Sequence, residues 1–182
     1  MFRALLICYA FISSLVGFGQ EVLLYSGDSS SYAKGLVVEN LKQGKWQIYT
    51  KTGVLLEEGD YKNDHRSGVW KAFYPNLSIK AELNYKNDLP DGSYSEYFVG
   101  GTIKTRGLYY GGQKNGKWEF IDLNGTKESE ITYSNGVKHG SSSYYGPYGE
   151  LLIEANYKGD SLDGKWTEYY PNGNVFDLVI IP

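Results

Sequence analysis

The sequence predicts an all-β fold of tandem 24-residue β-hairpin repeats, laid side by side in one elongated, twisted antiparallel sheet. Three observations carry that reading. Gly44, Gly68, Gly92, Gly116, Gly140 and Gly164 recur every 24 residues without insertion or slip. An aromatic pattern keeps phase with them: Trp46, Trp70, Tyr94, Trp118, Ser142 and Trp166 lie two residues on, and Tyr49, Phe73, Tyr97, Ile121, Tyr145 and Tyr169 three further. A closing ring follows 17 residues after each Gly, at Tyr61, Tyr85, Tyr109, Tyr133 and Tyr157, with Ile181 in the sixth copy. Such a period marks one supersecondary unit copied in tandem, each burying its apolar surface against its neighbours.

Residues 1–19 stand outside the repeat. Arg3 supplies a positive charge, Ala4 to Val16 is almost wholly apolar, and Gly17 and Gly19 are small residues suited to cleavage before Gln20. This reads as a secretory signal peptide, too short and wrongly flanked for a spanning helix; an uncleaved anchor or a buried first helix is the alternative. Cys8, the only cysteine, lies inside the apolar stretch, so a cleaved chain would have no disulfide or thiol chemistry. Residues 20–43 read as a degenerate capping repeat. Tyr25 falls at the second aromatic position, Gly35 at a small position and Val37 at the closing position, with Asp28-Ser29-Ser30 in the turn. Terminal repeats are commonly atypical because one side lacks a neighbour.

Residues 44–182 hold the six clear copies. In the last, an aromatic run from Gly164 to Tyr170 meets Pro171-Asn172-Gly173, and a second apolar run follows. Pro and Asn at the corners with Gly after them fit a type I turn closed by a left-handed residue, hence a short hairpin loop. Leu77 takes that Gly position in the second copy, where strain is expected. Period-two spacing places Leu55, Gly59 and Tyr61 on one face of the returning strand, and likewise Ile79, Leu83 and Tyr85, and Leu151, Ala155 and Tyr157. A second turn closes each unit, at Asn63-Asp64, Asn87-Asp88, Gly111-Gly112, Asn135-Gly136 and Gly159-Asp160, where Gly and Asn tolerate positive φ. No segment after residue 20 has helical periodicity, and the whole reads as a single repeat domain. The two leading rings are three residues apart, so either both sheet faces carry aromatics or a bulge near the leading Gly brings them together.

The chain carries a formal net charge of −3, which argues against nucleic acid as a partner because phosphate binding needs a basic stripe. No catalytic, cofactor or metal site is expected. His65 and His139 lie in loops before a repeat Gly, without nucleophile or metal-ligand spacing. The run Gly111 to Gly116 lacks the Lys-Ser/Thr ending of a phosphate loop. Asp88 with Asp91, and Asp160 with Asp163, offer too few oxygens for calcium and read as turn formers. No paired carboxylates suggest glycoside hydrolysis.

The abundant resource is aromatic: 18 Tyr, 7 Phe and 4 Trp. The repeating rings are assigned to the core. The non-repeating rings Tyr74, Phe98, Tyr144, Tyr148 and Tyr170 are the binding candidates, since Tyr offers contact area and a hydroxyl at small entropic loss. To these are added Val179 and Ile181 in the last strand. The run Val175 to Ile181 is apolar on both faces with Asp177 its only charge, and such an edge is a template for pairing with another chain or a second copy.

Gly164, Trp166, Tyr169, Tyr170, Asn172 and Gly173, completed by Tyr133, Asn135, Gly136 and Gly140, resemble the bacterial variant of the MORN repeat. The likeness spans residues 40 to 182, with Tyr94, Ser142 and Leu77 as departures. The resemblance implies a tandem of antiparallel hairpins and a scaffolding or binding role, with lipid binding in some members and no catalytic residues to carry over. It also points to the YwqK-type family, many of whose members are labelled antitoxin. The expectation is therefore an exported, periplasmic or extracellular, non-enzymatic protein that binds a protein partner. An antitoxin or immunity-type inhibitor and a glycan- or lipid-binding surface protein are the alternatives.

Overall fold

A computed structural model describes residues 19–181, so the segment read as a signal peptide lies outside the described residues except for Gly19. Fourteen antiparallel strands follow in chain order, with no helix among the described residues. Two compact units divide at Leu89/Pro90. The sequence reads as a single domain; a tandem array in which each hairpin touches only its neighbours has no global core to prevent such a division. The first unit holds β1 (Gln20–Tyr25), β2 (Ser31–Val38), β3 (Leu41–Thr50), β4 (Leu55–Lys62), β5 (His65–Phe73) and β6 (Ile79–Lys86). The second holds β7 (Leu89–Tyr97), β8 (Ile103–Tyr110), β9 (Gln113–Ile121), β10 (Lys127–Ser134), β11 (Val137–Tyr145), β12 (Leu151–Lys158), β13 (Ser161–Tyr169) and β14 (Val175–Ile181).

Two turn chemistries alternate. The tight turns set both central residues at positive φ, as at Asn63 (51°) and Asp64 (67°), which matches the twist of the flanking strands. The longer loops end in a left-handed residue, as at Gly173 (φ 82°). Leu77 adopts the same region at φ 66°, the strained position its sequence context predicts.

Register decides which side chains share a face. Trp46 stands opposite Gly59 and Gly35, Trp118 opposite Ile131, and Trp166 opposite Ala155. Directly opposed residues share a face, and neighbours along a strand alternate. Trp46 and Tyr49 therefore lie on opposite faces, so both faces carry rings. The leading Gly sits at a bulge as well: Gly35 pairs with Trp46 and Leu36 with Gln43, leaving Gly44 and Lys45 unopposed. A second bulge corrects the face assignment of the returning strand. Tyr49 pairs with Leu55 and Ile48 with Glu57, so Leu56 is the extra residue and Leu55 falls on the face opposite Gly59 and Tyr61. Lys80 and Leu152 play the same part, moving Ile79 away from Leu83 and Tyr85, and Leu151 away from Ala155 and Tyr157.

In each unit the core is a ladder of rings on one face of its strands. Trp46, Trp70 and Trp118 are buried. Each lies against a glycine: a Cβ on Gly35, Gly59 or Gly107 would come within 2.3–2.4 Å of the indole. The indole N–H of each donates to a backbone carbonyl, of Leu36 (3.2 Å), Asp60 (3.1 Å) and Leu108 (3.1 Å) respectively. The closing tyrosines fill the intervals edge-on, Tyr61 at 5.1 Å from Trp70 and Tyr109 at 5.0 Å from Trp118. Edge-to-face pairs of this kind add about 0.5–1.5 kcal/mol each beyond their buried area.

Candidate binding surfaces

Cations cap the ring ladder in four of the six copies, a feature the sequence reading missed. Lys42 lies over Trp46 and Tyr61, Arg66 over Trp70, Lys114 over Trp118 and Lys138 over Tyr157, at 4.0–5.2 Å from the ring centroids. All four stand two residues before a leading Gly, so the 24-residue period marked them. Burial pushes the Lys42 and Lys114 ammonium groups below the ordinary lysine range. In those copies the rings are covered by the protein's own side chains.

The opposite face is an ion-pair face. In the first unit Glu21 pairs with Lys34, Glu58 with Lys45, and Glu82 with Lys71, at 3.0–3.2 Å. Three rings meet at its start: Tyr25 lies tilted to Tyr32 at 5.9 Å, and Tyr32 stacks on Tyr49 at 5.1 Å.

The aromatic candidates do not gather in one patch. Tyr74, Phe98 and Tyr170 share a repeat position after all: each opens a long loop, and its amide donates to a carbonyl across the turn, of Ser78, Thr102 and Asn174. Tyr74 and Phe98 are half-buried, while Tyr170 is exposed with its ring edge-on to Phe176 at 5.0 Å. Tyr148, 93% exposed, projects from the β11–β12 loop. Tyr144 instead works within the ladder. Ser142 takes the Trp position of its copy and is buried, and the Tyr144 hydroxyl reaches 3.2 Å from that of Tyr157.

Strand β14 differs from all others. It pairs with β13, and among the described residues no strand lies on its other side. Val175, Phe176, Leu178, Val179 and Ile180 are all exposed, and Ile181 is half-buried. Register places Leu178 and Ile180 on the ion-pair face and Val179 and Ile181 on the ring face, so neither face of the strand is covered. The Asp177 carboxylate is turned back on the Leu178 amide at 2.8 Å. It is the single charge on this edge.

Both histidines lie in strands rather than loops: His65 opens β5 and His139 sits within β11, both exposed. His65 Nδ1 is 2.6 Å from Asp88, whose other oxygen accepts from the Arg66 amide at 2.7 Å. That contact, with the Arg66 amide, holds the Asp88 carboxyl below the ordinary range. Asp160 clamps the Lys138 amide in the same way at 2.8 Å, and Asp64 that of Lys42 at 2.7 Å. These three aspartates each tie their tight turn to the preceding one. Gly111 and Gly112 form such a turn, and Gly116 lies in β9. Among the described residues no group of three or more His, Cys, Asp or Glu could hold a metal ion.

Such a chain is a tandem β-hairpin repeat protein. The model of the MORN repeat variant matches residues 42–63, 66–87, 114–135 and 162–177. These are hairpins β3–β4, β5–β6 and β9–β10, and β13 with the start of β14, the four that carry Trp at the first ring position. The copies with Tyr94 and Ser142 there go unmatched. No curated protein matches the chain.

Proposed function

We propose that this chain is an exported, non-enzymatic MORN-type binding or scaffold module, and that it captures an extended segment of a protein partner along β14. The observation that carries this reading is the edge itself. A strand with exposed apolar side chains on both faces and an unpaired backbone margin offers main-chain hydrogen bonds for affinity and side-chain pockets for selectivity. The ring ladder supports the same reading from the other side, because its aromatics are consumed by packing and by their own cations. A non-enzymatic role fits the histidines: His65 is held by an aspartate already committed to a backbone amide, and His139 has no partner among the described residues. An inhibitor of a toxin would use the same edge, with the toxin as occupant.

The test compares the wild-type chain with Leu178→Lys/Ile180→Lys as bait on the envelope fraction. Hydrogen exchange on the recovered complex then reads where the partner sits. The expected result is a partner lost from the variant, unchanged far-UV circular dichroism, and new protection confined to β14. A partner retained by the variant, or protection elsewhere, overturns the reading.

A further inference from the structure

One place on the ion-pair face of the second unit breaks the repeat's charge pattern. Fourteen residues beyond the leading Gly the copies carry Glu58, Glu82, Arg106, Glu130 and Glu154, so Arg106 is a charge reversal. In the first unit the Glu of this position meets lysines: Glu58 stands opposite Lys71 and pairs with Lys45. In the second the polarity inverts. Arg106 stands opposite Glu119, and Glu119 in turn stands opposite Glu130. Two like charges opposed across a ladder destabilise it. Here they are held by three cations: Arg106 Nε on Glu119, Lys117 on Glu130 at 2.8 Å, and Lys127 bridging both at 2.7 and 3.2 Å. The Lys127 and Arg106 contacts pull the Glu119 carboxyl below its ordinary range, and those of Lys117 and Lys127 do the same for Glu130. Three cations on two carboxylates leave a local surplus of positive charge in an acidic protein.

That surplus faces solvent. Glu119 is 18% exposed, whereas Arg106 is 53% and Lys117 68% exposed. The residues opposite Arg106 and Leu108 on β7 are the small Ser95 and Ser93. Their size opens a hollow of about 370 Å3 whose charged lining is Arg106, Lys117, Glu119 and Glu130, with Ser93, Ser95 and Leu108 beside them. Only Nε of Arg106 is engaged, and its two terminal nitrogens have no partner among the described residues. A site that breaks a repeat rule is where function is expected.

We propose that this hollow is a carboxylate site that takes an acidic segment of a protein partner. The free edge of the Arg106 guanidinium is a planar fork matched to a carboxylate, and Lys117 adds a second charge. The serine hydroxyls donate from the floor, and exposed Leu108 meets the aliphatic stem of an Asp or Glu side chain. An acidic sugar is a poorer fit: the one ring beside the hollow, Tyr94, belongs to the opposite face and is stacked on Trp118 at 5.6 Å. The site is independent of β14.

Titration calorimetry on the full chain, with a hexaglutamate peptide as probe, tests this. Binding is expected that weakens as salt rises. Arg106→Gln should weaken it at least tenfold, and Ser95→Gln, which fills the hollow and leaves the ion pairs intact, should abolish it. Lys71→Gln on the first unit and Leu178→Lys/Ile180→Lys on β14 should leave it unchanged. If Arg106→Gln fails to fold, Ser95→Gln decides. Absence of binding by the wild-type chain, full binding by a folded Arg106→Gln or Ser95→Gln, or tighter binding of a galacturonate trimer than of the peptide overturns the proposal.

Discussion

Hairpins β9–β10 and β13–β14 belong to the same unit and carry the same leading motif, yet they pack differently. In the first, Trp118 lies on Gly107, is buried, and donates its indole N–H to the Leu108 carbonyl at 3.1 Å. In the second, Trp166 faces Ala155, is half-buried, and donates to its own neighbour Glu168 at 3.1 Å. One methyl group on the facing strand separates the two. It holds the ring off the backbone, and the carbonyl that the other three indoles bond is given up. Strand β10 then closes with Tyr133, at 6.3 Å from Trp118, where β14 has Ile181 at the closing position. A repeat motif thus fixes the hairpin but not its burial, which depends on the small position of the strand before it.

The largest expected effect is the unequal cost of removing the two indoles. Trp118→Ala should cost about 3–5 kcal/mol, as buried aromatic truncations do, while Trp166→Ala, taken from a half-buried site, should cost well under half of that. Chemical denaturation of both variants reads the difference; equal losses would erase the contrast. Next comes conversion of one site into the other. Gly107→Ala should cost about 1–3 kcal/mol by overpacking and shift Trp118 fluorescence towards that of an exposed indole. Ala155→Gly should move Trp166 the opposite way. An unshifted spectrum in both would show that the facing residue does not set the ring.

Loop geometry serves as the control, because Gly125 (φ 88°) and Gly173 (φ 82°) are alike in the two hairpins. Leu77 is where that control is broken: at φ 66° and 60% exposed, it bears strain and buries little. A side chain in this region costs roughly 1–2 kcal/mol, so Leu77→Gly should be neutral or stabilising and Gly173→Leu destabilising. A melting temperature lowered by several degrees in Leu77→Gly would mean that the leucine packs. The smallest effect lies outside both hairpins, at Asp28. Hydrogen bonds from Ser26, and then from Ser30, bring its pKa down to about 2 from 3.8. Because the folded value is depressed, its contribution is present above the unfolded value and is lost as pH falls through about 2. Carbon-detected titration of the Asp28 carboxyl should give a midpoint near that value, and an ordinary one would remove the clamp from the account.

Much of this was legible in the sequence because turns and periods are local. Positive φ at Asn63, Asp64 and Gly173 follows from what those residues tolerate, and the 24-residue interval gave the hairpins their order. Face assignment was less legible. The extra residues Leu56, Lys80 and Leu152 carry no turn chemistry of their own, so nothing local announced that Leu55, Ile79 and Leu151 change sides. Lys42, Arg66, Lys114 and Lys138 were visible in the period but not as ring caps, since that role needs the register of two strands. Tyr144 was unreadable for the same reason: its task follows from Ser142 and from Tyr157 on the facing strand. The reversal at Arg106 stood in the sequence, yet it became a site only when Ser93, Ser95 and Glu130 were brought beside it.

Amide hydrogen exchange on the full chain, resolved by residue, tests most directly the claim that β14 is an open edge set apart from the ladder. Slow exchange is expected throughout β10, which is paired on both sides, and fast exchange at the alternate amides of β14 that do not bond to β13. Uniform protection of β14 at the level of β10, in dilute protein without a partner, would contradict it.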